Sequence, residues 1–166
     1  PPLKLQSRGL GEFAITAGWL LVVVGSDFVQ RHGFAFAPVA SGLGFALLVA
    51  NVLYINQFPD VKADAGAGKN TLVVRLGVAR ARWGYVLIAA LAYGWPLLMV
   101  LLGHLPWGAL IALLPAITSV AAARRLWSRA GQPAELIPAL KMTILAASTH
   151  GLLLAVILGL PWSREI

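Results

Sequence analysis

Four stretches of this chain contain no Asp, Glu, Lys or Arg: Phe13 to Ser26, His32 to Pro59, Trp83 to Ala123 and Met142 to Ser163. A helix needs roughly 20 apolar residues to cross a hydrocarbon core about 30 Å thick. The second and fourth stretches each fit one such helix. The third is long enough for two, and Gly103-His104-Leu105-Pro106 divides it, since Gly and Pro punctuate helices. The first is short, but Leu10 to Val29 makes a full span if Glu12 and Asp27 lie near the interfaces. The reading is an all-α, polytopic transmembrane bundle with five spans, at about 10–30, 34–57, 83–102, 106–124 and 137–160.

Composition agrees. Of 166 residues, 59% are hydrophobic and 11% charged, with a mean hydropathy of +0.81. A soluble domain carries about a quarter charged residues, and disorder requires low hydrophobicity. Neither fits. The chain has no Cys, which excludes disulfides, zinc–thiolate sites and cysteine nucleophiles. No short apolar core precedes a small-residue cleavage site, so none of the spans is a signal peptide. No inverted repeat of the transporter kind is evident. The opening Pro1-Pro2, without Met, reads as a loop leaving an earlier element and suggests the C-terminal part of a longer protein.

A net charge of +7 would elsewhere suggest nucleic acid. Here its placement explains it. Five spans put Lys4, Arg8, Lys62, Lys69, Arg75, Arg80, Arg82, Arg124, Arg125 and Arg129 on one side, with Lys141 just inside the last helix from that side. The other side holds Arg31 and Arg164. The positive-inside rule makes the N-terminus and the 58–82 loop cytoplasmic, and no nucleic-acid partner is expected. Trp83, Tyr85, Trp107, Trp127 and Trp162 fall near the boundaries, as interfacial aromatics do.

The longest polar run follows the second span directly: residues 56–77, NQFPDVKADAGAGKNTLVVRLG. If the helix continues, Asp60 and Asp64 share a face, with Asn56 one turn earlier and Lys62 pointing away. Two adjacent carboxylates repel, and a divalent cation relieves this. Mg²⁺ prefers hard oxygen ligands and is typically held by one or two carboxylates plus substrate phosphates. Asn56 offers an amide oxygen. Lys69 and Arg75, after a Gly-Ala-Gly turn, could meet phosphate oxygens as charged donors. A lone D-x-x-x-D in a loop is ordinarily a solvated charge pair; location argues for use, because acids abutting a span are costly. Gly66, Gly68 and Lys69 do not make a phosphate-binding loop, since Ala63 stands at its first Gly and Asn70 at its Ser or Thr.

The run N-Q-F-P-D-x-x-x-D-x-x-x-G-K-x-T-L-x-V-R-L-G, Asn56 to Gly77, resembles the second Asp-rich motif of the UbiA superfamily of intramembrane aromatic prenyltransferases. PPLKLQSRGLGE is similar to the loop before the fifth helix in the branch that prenylates 1,4-dihydroxy-2-naphthoate on the route to menaquinone. KMTILAASTHGLLLAVILGL resembles that branch's last helix. The resemblance implies a nine-helix fold of which this chain is helices five to nine; apart from Asn56–Asp64, which itself fits N-x-x-x-D-x-x-x-D, the chain carries no further such run to serve as the first motif. It further implies a bacterial inner-membrane enzyme that ionises a polyprenyl diphosphate with Mg²⁺ and passes the allylic cation to an aromatic ring. Carried over by position, Asp60 and Asp64 hold Mg²⁺, Asn56 assists, and Lys69, Lys4 and Arg8 face the diphosphate. Gln6 stands where another Lys is common. With half the metal cage missing, these 166 residues alone are expected to be inactive.

Other polar residues have two readings. His150, with Ser148 and Thr149, lies mid-span, and Thr143 shares its face. Such a cluster most often bonds neighbouring helices, which ranks ahead of an acceptor-binding role. Asn51 and Tyr54 precede the motif and are candidates for the cavity wall. Pro96 and Pro115 are candidate kinks, and Trp95 beside one is packing or cavity lining. Asp27 is expected at the far interface. A phosphatidyl-alcohol transferase is excluded, for want of D-G-x-x-A-R. A non-catalytic transporter or scaffold segment remains the alternative.

Overall fold

The computed structural model describes residues 4–160. A 3₁₀ turn at Gln6–Arg8 leads into helix α1, Gly11–Arg31, and α2 follows at Ala37–Gly66. A short helix, α3 (Leu72–Leu76), precedes α4 (Val78–Leu101). A 3₁₀ segment, Trp107–Leu113, runs into α5 (Ala116–Arg129). A second, Pro133–Leu136, runs into α6 (Ile137–Gly159). Five stretches are long and apolar enough to cross a membrane.

The helices overrun the spans inferred from charge. α2 continues past residue 57 to Gly66, through Pro59, and α4 starts at Val78 rather than 83. Charges mark where the hydrocarbon ends, and a helix is free to continue into water. The fourth span is interrupted at Pro115, one of the two candidate kinks: it is 3₁₀ before that proline and α after it. Proline has no N–H to give the carbonyl four residues back, and its ring crowds that carbonyl. Pro96, by contrast, sits inside an unbroken α4.

α2 is the central helix and packs on α1, α4 and α6, while α5 packs on α4 and α6. Over its first half many of its contacts are made by small residues: Ala40, Gly42, Gly44, Ala46 and Ala50 are all buried. Lipid is as apolar as Leu, so membrane helices associate through close backbone approach, which small residues permit. Many large residues face out, including Phe13, Leu21, Leu87, Leu91 and Leu152. A soluble protein would not expose such a continuous apolar surface.

Two tyrosines tie α4 to its neighbours. The Tyr54 hydroxyl donates to the Ala81 carbonyl at 2.7 Å, and a Cβ at Gly84 would overlap the Tyr54 ring and hydroxyl. Gly84→Ala is therefore expected to destabilise the bundle by about 3 kcal/mol, from overpacking and loss of that bond. Denaturant titration in mixed micelles measures this, and Gly84→Ala combined with Tyr54→Leu should recover part of the loss. Tyr85, expected at the interface with water, is fully buried. Its hydroxyl lies 2.9 Å from Thr143 Oγ1, which itself donates to the Ala139 carbonyl at 2.8 Å. Tyr85 is thus the donor to Thr143, tying α4 to α6. Trp83 and Trp107 are exposed as expected, and Trp127 stacks edge-on with Trp83 at 4.8 Å beneath the Arg82 guanidinium. Trp162 and Arg164 lie outside the described residues.

Candidate functional site

The end of α2 builds the site. Its C-terminus closes with Gly68 at φ 70°; the Gly68 N–H bonds the Ala65 carbonyl at 3.1 Å and the Lys69 N–H bonds the Asp64 carbonyl at 2.9 Å. This is a Schellman cap, which needs a residue free to adopt the left-handed conformation. The Gly-Ala-Gly turn therefore ends a helix, whereas a phosphate-binding loop starts one. The cap also folds Lys69 back, so that its Nζ lies 2.9 Å from Asp64 Oδ1. Asp64 is 6% exposed, and this ammonium neutralises its carboxylate. Asp60, one turn earlier, is exposed, and Asn56, half-buried, donates its Nδ2 to the Val52 carbonyl at 2.8 Å.

Two basic segments converge here. The Asn70 N–H bonds the Ser7 carbonyl at 3.0 Å, and Arg75 Nη1 bonds the Arg8 carbonyl at 3.2 Å. Arg8, Lys69 and Arg75 are thereby brought together around the end of α2, with Lys4 exposed on the same segment as Arg8. Among the described residues no group of three His, Cys, Asp or Glu gathers as a closed metal cage. Two carboxylates and an amide on successive turns suit a cation that shares its coordination with substrate phosphates, as Mg²⁺ does. Asp64 already holds a positive group.

Below the acids lies an apolar cavity of about 520 Å³ between α1, α2 and α6, lined by residues that include Trp19, Val23, Phe45, Val49, Val52 and Ser148. Asp60 follows Val49 by about three helical turns and Asn56 follows it by about two. One stripe of α2 thus runs from cavity wall to carboxylate.

Three candidates for the cavity stand elsewhere. Asn51 and Tyr54 are fully buried between α2 and α4, where Asn51 Nδ2 donates to the Tyr85 carbonyl at 3.3 Å. Added helices could only bury them further. His150 is also fully buried; its Nδ1 donates to the Ala112 carbonyl at 2.6 Å, in the 3₁₀ segment before Pro115. The broken span frees a carbonyl, and His150 satisfies it. Trp95 likewise packs, its Nε1 donating to the Ala40 carbonyl at 3.0 Å. Sequence reasoning missed Glu12 and Gln57, both buried beside the site. The available signal was two polar residues at the apolar boundaries of consecutive spans.

The UbiA prenyltransferase family matches residues 3–145. The chain belongs to that family. The family member is 34% identical over 148 residues to a 1,4-dihydroxy-2-naphthoate octaprenyltransferase of Mycobacterium tuberculosis, covering 89% of this chain and 49% of the relative. It is 42% identical over 76 residues to the enzyme of that description in Escherichia coli, covering 45% and 24%. The Haemophilus influenzae counterpart is 38% identical over 89 residues, covering 51% and 29%. This UbiA chain thus spans at most about half the length of these relatives. No solved structure matches it.

Proposed function

We propose that the protein carrying this UbiA chain transfers a polyprenyl group from its diphosphate to 1,4-dihydroxy-2-naphthoate, in the synthesis of menaquinone. The observation that carries this is the stripe on α2, apolar at Phe45, Val49 and Val52 and acidic at Asp60, capped by basic residues. It matches a substrate with a long apolar tail and an anionic head. The relatives' names supply the naphthoate.

In this reading Asp60 and Asp64, with Asn56, would hold Mg²⁺, which supplies positive charge against the departing diphosphate. Arg8, Arg75, Lys4 and Lys69 add charge-assisted donors to its oxygens. The allylic C–O bond breaks with its electron pair on the diphosphate, the electron-rich ring donates a pair to form the new C–C bond, and the attacked ring carbon then sheds the group it carried, a proton or its carboxylate as CO₂, to restore aromaticity. The apolar walls keep water from capturing the cation first. The basic end of the bundle faces the cytoplasm, at the bacterial inner membrane, and a first Asp-rich motif on further helices completes the site.

The test uses full-length protein in nanodiscs, with a polyprenyl diphosphate and dihydroxynaphthoate. Prenylated product is expected with Mg²⁺ and at least a hundredfold less with EDTA; no product with Mg²⁺ sinks the reading and favours the scaffold alternative. Residues 1–166 alone are expected to give none. Topology is checked separately: Lys62→Cys, in a chain without Cys, should react with impermeant maleimide only from the cytoplasmic side.

A further inference from the structure

Gln57 lies inside the motif, between Asn56 and Phe58, and uses both ends of its amide. Its Nε2 donates to Glu12 Oε1, and its Oε1 accepts the Val73 N–H at 3.3 Å. The Val73 N–H can only donate, so it fixes which way the amide points and turns Nε2 toward Glu12. Gln57 is 3% exposed and Glu12 9%. Glu12 is the second residue of α1, where free N–H groups favour an anion. Val73 is in the first turn of α3, where helix N–H groups need outside partners. One side chain therefore links the starts of α1 and α3 to the motif on α2.

What it links matters. α3 carries Arg75, bonded to the Arg8 carbonyl. The strand of chain before α3 carries Lys69 on Asp64 and Asn70 on the Ser7 carbonyl. These groups sit on short elements, a three-residue 3₁₀ turn at Gln6–Arg8, the loop after α2 and the five-residue α3. We infer that Glu12 and Gln57 are a positioning pair, setting the basic segments 4–9 and 69–75 at a fixed distance from Asp60 and Asp64 so that both ends of a diphosphate are met at once. The inference rests on the prenyl-diphosphate reading for its ligand, but the clamp itself does not.

The chemistry permits a reciprocal test. Gln57→Glu sets two carboxylates against each other. Adding Glu12→Gln restores the pair reversed: the amide at position 12 donates to the carboxylate at position 57, whose other oxygen keeps the Val73 N–H. In full-length protein in nanodiscs, Gln57→Glu should speed hydrogen exchange at Val73 and Asn70 at least tenfold. It should also raise KM for the polyprenyl diphosphate at least tenfold at saturating Mg²⁺, with KM for the aromatic acceptor within twofold of wild type. The double variant should return both within threefold. Gln57→Met removes both bonds without adding charge and is read in the same way if Gln57→Glu does not fold. Unchanged exchange at Val73 overturns the clamp. Faster exchange with both KM values moving together, or neither, overturns its role toward diphosphate. A wild type that transfers no prenyl group removes the diphosphate role along with the functional reading, and exchange then decides the clamp alone.

Discussion

Asp64→Asn is expected to lower prenyl transfer by the full-length protein at least a hundredfold while leaving its thermal midpoint nearly unchanged. Removing one pre-positioned electrostatic group typically costs roughly 10²–10³ in rate, and Asp64 is the buried member of the acidic pair. The stability effect is small because Asn keeps a hydrogen-bond acceptor at the buried position, and the Lys69 ammonium left unpaired is 45% exposed and can be hydrated. Asp60→Asn should cause a loss of similar size with even less effect on stability, since Asp60 is exposed. Lys69→Met tests what the ammonium does. If it only neutralises Asp64, the variant keeps its affinity for the prenyl diphosphate; if it also meets phosphate, KM rises. Asp64→Asn retaining more than a tenth of wild-type turnover would remove Asp64 from the reaction.

The second large effect is on stability. Gly44→Ala is expected to cost about 3 kcal/mol, at the upper end for forcing one methyl into a packed interior. A Cβ there would lie 2.7 Å from the Ala92 carbonyl oxygen and 3.2 Å from Pro96 Cδ. Neither atom ends a flexible side chain. Pro96 explains the geometry: lacking an N–H, it leaves the Ala92 carbonyl without its helical donor, and that carbonyl faces the bare Cα of Gly44. The control is Gly94→Ala on α4, where nothing lies within 4 Å; there Ala should be neutral or stabilising by up to about 1 kcal/mol. Denaturant titration in mixed micelles compares the two. Equal midpoints would mean that α2 and α4 do not meet at Gly44.

The spans and the motif were legible in the sequence. Rotation of each helix about its own axis was not. Asn51, Tyr54 and His150 are polar and lie near the motif or mid-span, which made them candidates for the cavity; all three turn toward neighbouring helices. Spacing gives relative faces within one helix but not which neighbour a face meets. Tyr85 shows the same gap: its position suggested interfacial water, and Thr143 on α6 claimed it.

Membrane residence and the number of spans follow from the sequence alone, because the length of charge-free chain and its hydropathy are local, one-dimensional properties set against a bilayer of fixed thickness. The acidic pair on one helical face follows as well, since four residues are about one turn. Only the tertiary structure decided that Lys69 returns to Asp64, that Gln57 ties three helices together through Glu12 and Val73, and that the stripe bearing Asp60 continues an apolar cavity wall. Those depend on how glycines and alanines let backbones approach. The contacts they create lie far apart in sequence, where no local pattern announces them.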